Sequence, residues 1–209
     1  MKKFINILIC LTFVASCSYR VPIRPTVSPM AYEFTEKKIE GNVAIFVHGD
    51  PAKLNQVVRP KSLAGSACSY SVEVGNSLKE SLVKIATSYF TNVTPIDHLP
   101  KDKTSFDGIL TAELIDYNIE IKYTGGGFKV RASAKMRVKL TFYDSDLKPV
   151  WTSVVGYSKW VMARAGMGCD VGVEPISSAI ETCFENMTLQ MAEKISKSEK
   201  IKETLKVGR

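Results

Sequence analysis

The chain reads as an α+β domain, a two-layer sandwich in which a mostly antiparallel sheet of about five strands carries two amphipathic helices on one face. Three observations lead there. Residues 128–142 alternate between apolar and polar side chains; residues 70–90 and 173–195 each keep one apolar stripe at a helical period; and residues 106–162 fold back twice through turn-forming residues.

In chain order, Asn42 to His48, "NVAIFVH", is a continuous apolar run, the mark of a strand covered on both faces. Residues 49–69 contain Pro51, Pro60 and Gly65 without a clear period and read as a long insertion. Tyr70, Val74, Leu78, Leu82, Ile85 and Tyr89 then recur every three or four residues, which predicts a helix over 70–90 with one buried stripe. Residues 92–96 form a brief strand, and Pro95, lacking an N–H, assigns it to a sheet edge. Residues 106–123 form a long strand whose alternation changes phase near Leu114 and Ile115, as one extra bulged residue would make it do. Thr124-Gly125-Gly126-Gly127 tolerates the positive φ of a tight hairpin.

In the next strand Phe128, Val130, Ala132, Ala134, Met136, Val138, Leu140 and Phe142 alternate with mostly charged residues, so one face is buried and the other wet. Asp144-Ser145-Asp146 turns the chain into a strand over 150–162 that holds Trp151 and Trp160. After a Gly-containing loop at 166–172, Pro175 suits a first helical turn. Val173, Ile176, Ile180, Phe184, Met187, Met191 and Ile195 then hold a 3.6-residue period.

At the other end of the chain, Lys2 and Lys3 precede an apolar run over 4–14, followed by the small residues Ala15 and Ser16. That is the order of a secretory signal peptide. The run is about half the roughly 20 residues that a bilayer span needs. Val14-Ala15-Ser16-Cys17 resembles the lipobox of bacterial lipoproteins. The resemblance implies a diacylglyceryl group on the Cys17 sulfur, cleavage after Ser16 and acylation, by palmitate for example, of the new amino group. Ser18 in place of Asp after the cysteine implies delivery to the outer membrane.

The expected layout is therefore a signal peptide at 1–16, a lipidated Cys17 with a proline-rich tether to residue 40, a single domain at 41–197 and a charged tail at 198–209. Pro22, Pro25 and Pro29 favour extended backbone in the tether. Loss of Lys2 and Lys3 lowers the formal charge from +7 to +5, a modest excess suited to anionic lipid surfaces. Nucleic acid is excluded as a partner for an exported chain.

Of the five cysteines, Cys10 leaves with the signal and Cys17 carries lipid. In an oxidising compartment Cys68, in "SACSY", and Cys169, in "GMGCD", are the favoured disulfide, with Cys183 in a helical pattern as the alternative partner.

No catalytic set is legible, and neither a metal nor a cofactor is expected. His48 and His98 are the two imidazoles, HxxxH and CxxC spacings do not occur, and the GxSxG serine elbow is missing. The notable charged feature is the stripe Lys129, Arg131, Lys135, Arg137 and Lys139. Alternate strand residues lie about 6.6 Å apart, inside a screening length of ~8 Å, so their repulsion needs compensation. Cross-strand pairing with Glu113, Asp116 and Glu120 would supply it. So would docking of an anionic headgroup or an acidic partner. Both readings stay open at this level.

The lipobox, the proline-rich segment, the helix ending "SYFTNVTPID", the hairpin "GILTAELIDYNIEIKYTGGGFKVRASAKMRVKLTFYD", the strand with "VGYSKW" and the C-terminal helix together resemble the YajG-type and related small outer-membrane lipoproteins of Gram-negative bacteria. Auxiliary lipoproteins of ABC transporters, the lipopolysaccharide-assembly lipoprotein and ring-forming secretion lipoproteins are similar in fold. The resemblance covers residues 41–197. It implies a non-enzymatic accessory role at the periplasmic side of the envelope, through binding to other envelope proteins or self-association. A second reading is a lipid- or glycan-binding carrier or sensor with a groove between sheet and helices, where Met136, Met187 and Met191 would line the pocket. An enzyme such as a cell-wall hydrolase comes third.

Overall fold

A computed structural model describes residues 17–34, 37–49, 54–166 and 168–207. In chain order its elements are β1 (Cys17–Val21), β2 (Ile39–Val47), β3 (Asn55–Val58), β4 (Cys68–Glu73), α1 (Gly75–Tyr89), β5 (Phe90–Pro95), β6 (Gly108–Thr124), β7 (Lys129–Asp144), β8 (Pro149–Arg164), α2 (Val173–Ser196) and α3 (Glu199–Val207). The larger sheet has the order β5-β2-β6-β7-β8, and a second sheet has the order β1-β4-β3. The expected signal peptide at 1–16 lies outside the described residues.

The meander β6-β7-β8 is antiparallel, as its alternation predicts, but β2 runs parallel to both β5 and β6. The expectation of a mostly antiparallel sheet with two helices is thus corrected: both sheets are mixed, and the described residues contain three α-helices. The reason is connectivity. Parallel neighbours need a crossover, here α1 before β5 and the loop 96–107 before β6. Side-chain alternation reports which face is buried and is silent on strand direction.

The inner face of β7, from Val130 to Phe142, is fully buried. Over it lies α2, whose Ile176, Ile180, Cys183, Phe184, Met187, Met191 and Ile195 are all buried. Beside it α1 lays Leu78, Leu82, Ile85 and Tyr89 against β2 and β5. Each large aliphatic or aromatic side chain removed from water contributes about 1.5–3 kcal/mol, so this layer dominates stability. β2 is covered on both sides. Val43, Ile45 and Val47 join the main core, while Ala44, with Ile109 of β6, is buried on the opposite face. Because β5 and β6 flank β2 and α1 holds the inner face, the loop 96–107 crosses the outer one, tied by Asp107 N–H to the Asn42 carbonyl.

In β6, Leu114 faces Val138 and Asp116 faces Arg137, which leaves Ile115 as the extra residue of the expected bulge. The chain leaves β7 through Asp144, whose carboxylate accepts from the N–H groups of Asp146 and Lys148. Both agree with the sequence reading.

Three segments depart from it. Residues 70–73, expected as the first turn of a helix, belong with Cys68 and Ser69 to a strand, because Tyr70 and Val74 satisfy a spacing of two as well as of four. The tail 198–209 does not extend freely over its described part. Ser198 Oγ accepts the Ile201 N–H as a helix cap, and α3 buries Ile201 and Leu205, the latter packed against Gly41. Nor is the proline-dotted segment a free tether. β1 pairs with β4, and the extended stretch after it lies along the helices: Ser177 Oγ donates to Pro22 O, Arg24 N–H to Glu181, Ser28 N–H to Thr188 Oγ1, and Tyr89 OH to Ala31 O. An extended backbone with its polar groups free is a good ligand for helix side chains.

Candidate functional site

β2 reaches only as far as Ala112 along β6, so the distal half of the β6–β7 hairpin projects past it. The second sheet packs beside that projection. Lys61 N–H donates to Ile121 O, Tyr123 N–H donates to Ser62 Oγ, and Lys61 Nζ pairs with Glu120 at 2.6 Å. Glu120 is thereby held below its ordinary carboxylate pKa, first by the Lys61 hydrogen bond.

Five features meet at this end. β1 begins at Cys17, in register with Cys68 of β4, and Cys68 is bonded to Cys169 with a Cα separation of 5.4 Å. The favoured disulfide is the one formed, and Cys183 is a buried free thiol instead of an alternative partner. Tyr70 OH donates to the Cys169 carbonyl at 2.6 Å, so the Tyr123 hydroxyl, 3.0 Å away, is the donor to Tyr70. Burial, with the Tyr123 bond next, pushes the Tyr70 phenol far above its ordinary pKa. Gly172 packs flat on the Tyr70 hydroxyl, where a Cβ would collide. The atoms of Cys17 that would carry lipid are not among those described.

The outer face of β6-β7-β8 carries the cationic stripe. Lys135 pairs with Asp116 at 2.7 Å, and that hydrogen bond holds the Asp116 carboxyl below its usual range. Glu113 stands opposite Lys139, and Asp116 stands opposite Arg137 as well. Glu120, the third expected partner, goes to Lys61. Arg131 faces Lys122 and places its guanidinium 5.0 Å from the centre of the Trp160 ring, within cation–π range. Pairing therefore accounts for part of the stripe. Among the described residues no ion pair joins Lys129, Arg131, Arg137 or Lys139 to a carboxylate.

Trp160, 56% exposed, is the partner that sequence reasoning missed. Trp151 and Trp160 are nine residues apart, and an odd separation puts them on opposite faces of one strand. Trp151 faces Phe142 inside, and Trp160 faces Ser133 outside.

His48 and His98 do not converge. The His48 ring lies edge-on to Phe46, and the His48 backbone N–H extends β2 by donating to Ala112 O. His98, with Phe46, Ile96, Asp97 and Lys79, lines a cleft of about 500 Å³ at the ends of β2 and β5, where Asp97 and Lys79 are spent on each other at 2.7 Å. Among the described residues no group of three or more His, Cys, Asp or Glu side chains is arranged to hold a metal ion. No described helix is long and apolar enough to cross a membrane.

No protein-family model matches the chain, and no curated protein matches it in sequence. Solved structures similar to this chain include the following three. A neuraminyllactose-binding hemagglutinin homolog from Helicobacter pylori is 11% identical, with a TM-score of 0.48 over 83% of this chain and 92% of that one. A minor lipoprotein from Acinetobacter baumannii is 10% identical, with a TM-score of 0.38 over 77% of this chain and 92% of that one. A lipoprotein from Neisseria meningitidis is 12% identical, with a TM-score of 0.29 over 67% of this chain and 96% of that one.

Proposed function

We propose that this chain is a lipid-anchored domain of a Gram-negative cell envelope, held through Cys17 and facing the periplasm from the outer membrane. It acts without catalysis, as an accessory component of a membrane-associated protein complex. The observation that carries the reading is the outer face of β7 and β8, where Arg131 stacks on exposed Trp160 and Lys135, Arg137 and Lys139 continue the cationic stripe along the same strand. Arg and Trp are the residues in which interfaces concentrate binding energy, and a cationic surround steers an acidic partner into register. The lipobox Val14-Ala15-Ser16-Cys17 supports the anchor, and the YajG-type order of elements supports the accessory role. The carrier reading is weaker, since Met136, Met187 and Met191 are fully buried in filled core and the larger clefts lie at the sheet margins.

The test is crosslinking in intact cells followed by mass spectrometry, comparing the native chain with one carrying Arg131→Gln, Arg137→Gln and Lys139→Gln, which leaves the Lys135–Asp116 pair in place. Loss of a captured envelope protein with unchanged thermal unfolding supports docking. Lower stability with capture intact means that the stripe serves internal pairing, and the docking role fails. Palmitate incorporation that disappears in Cys17→Ala tests the anchor separately.

A further inference from the structure

The tip of the projecting hairpin differs in character from the stretch of the outer face around Lys135, Arg137 and Lys139. Leu63 and Phe128 are 95% and 77% exposed, the two most exposed large apolar side chains described, and they sit on neighbouring loops. A Cβ on Gly127, next to Phe128, would lie 3.7 Å from the side chain of Ala64, next to Leu63. The same loop returns through Gly65 O to Cys68 N–H, and Cys17 stands one strand spacing, about 4.8 Å, from Cys68.

Around these two apolar tips the charges are placed against ordinary sheet chemistry. Lys129 faces Arg164 across β7 and β8, and Lys122 faces Arg131 across β6 and β7. Like charges directly opposite each other destabilise a sheet. The carboxylates described nearby are Glu120, already held by Lys61, and exposed Asp170. An apolar residue at each tip inside a collar of cations is the composition that settles at the boundary between headgroups and acyl chains.

We infer that this end, with Leu63 and Phe128 at its apex and Lys122, Lys129 and Arg164 around them, rests on an anionic phospholipid bilayer. The inference builds on the proposed Cys17 anchor, because the anchored residue and the two tips share one end of the molecule. Anionic headgroups compensate the facing cations, and the two apolar side chains enter the interface. The domain is then held in one orientation, with the turn from Asp144 to Asp146, at the other end of β7, directed away from the membrane.

The test uses the full chain reconstituted in phosphatidylcholine vesicles with and without phosphatidylglycerol. A polarity-sensitive fluorophore is placed singly through Leu63→Cys, Phe128→Cys or Asp146→Cys, the last in the turn at the opposite end. Cys183 is buried and Cys68 is bridged to Cys169, so these described cysteines do not compete for label. The expected result is flotation with vesicles, a blue shift and quenching by spin-labelled lipid at positions 63 and 128, and neither effect at 146. Both effects should weaken without phosphatidylglycerol and in 1 M salt, where the screening length falls to about 3 Å. Flotation with all three labels left in water overturns the contact while leaving the anchor intact. Failure to float, with no acyl mass on Cys17, removes the anchor and the inference together. A blue shift at 63 and 128 without vesicles assigns the tips to a second copy of the chain and also overturns it.

Discussion

Replacing Cys68 and Cys169 together by alanine tests how far the second sheet depends on covalent closure. The bridge joins residues separated by 101 positions. In the chain-entropy account, cross-linking a loop of that length restricts the unfolded chain by about 4.7 kcal/mol at 25 °C. The native side loses little. Cys68 is buried, but a Cys-to-Ala change removes one sulfur, and the Tyr70 bond goes to the Cys169 backbone carbonyl, which alanine retains. The β1-β4-β3 register is likewise untouched in its backbone bonds. The expected loss is therefore about 3–5 kcal/mol. For a slope near 2 kcal/mol per molar, the urea midpoint should fall by about 2 M. The assay is equilibrium urea unfolding followed by tryptophan fluorescence and far-ultraviolet circular dichroism. A loss under about 1 kcal/mol with unchanged slope would refute the reasoning and show that the loop is already closed in the unfolded ensemble.

Four further outcomes follow from local geometry. Leu205→Ala empties the contact that α3 makes beneath Gly41 and should cost about 2–5 kcal/mol in urea unfolding, with early amide exchange in residues 199–207. Gly108→Ala forces a methyl into the buried Phe142 ring and should destabilise by about 1–3 kcal/mol; a neutral result would mean that the ring has room to move. Burial pushes the Cys183 thiol up to about 11, so a disulfide-exchange reagent at mildly alkaline pH should leave it unmodified until urea opens the chain. The Lys135 ammonium holds the Asp116 carboxyl below its ordinary pKa, so the stability it lends is complete above the unfolded-state value and disappears as pH falls through the folded one. Lys135→Ala should move the Asp116 titration upward in NMR, and an unmoved midpoint would sink that assignment.

What the sequence made legible was whatever a single period encodes. The run expected from Phe128 to Phe142, the bulge at Ile115 and the stripe from Ile176 to Ile195 each depend on neighbours within one strand or helix, and all three form except at Phe128, which the Gly125–Gly127 turn leaves before the strand and 77% exposed. The disulfide was legible because compartment chemistry narrows the choice among few cysteines. Features set by distant segments were not. The direction of β2 depends on crossovers, the pairing of β1 with β4 joins residues about fifty positions apart, and Glu120 chose Lys61 over the stripe because a loop with no period of its own lies beside it. Tyr70 and Val74 misled for another reason: they fit two periods at once, and only the neighbouring strands decide between them.

The hydrogen bonds from Arg24, Thr26 and Ser28 to Glu181 and Thr188 fasten an early stretch of the polypeptide to one synthesised about 155 to 160 positions later. On the export route proposed above, that stretch stays open until the final helices emerge. Structures whose contacts span such distances close slowly. On the proposed reading, export and acyl transfer act on a pliant leader, and the same residues stiffen into a brace only when the tail of the message has been read.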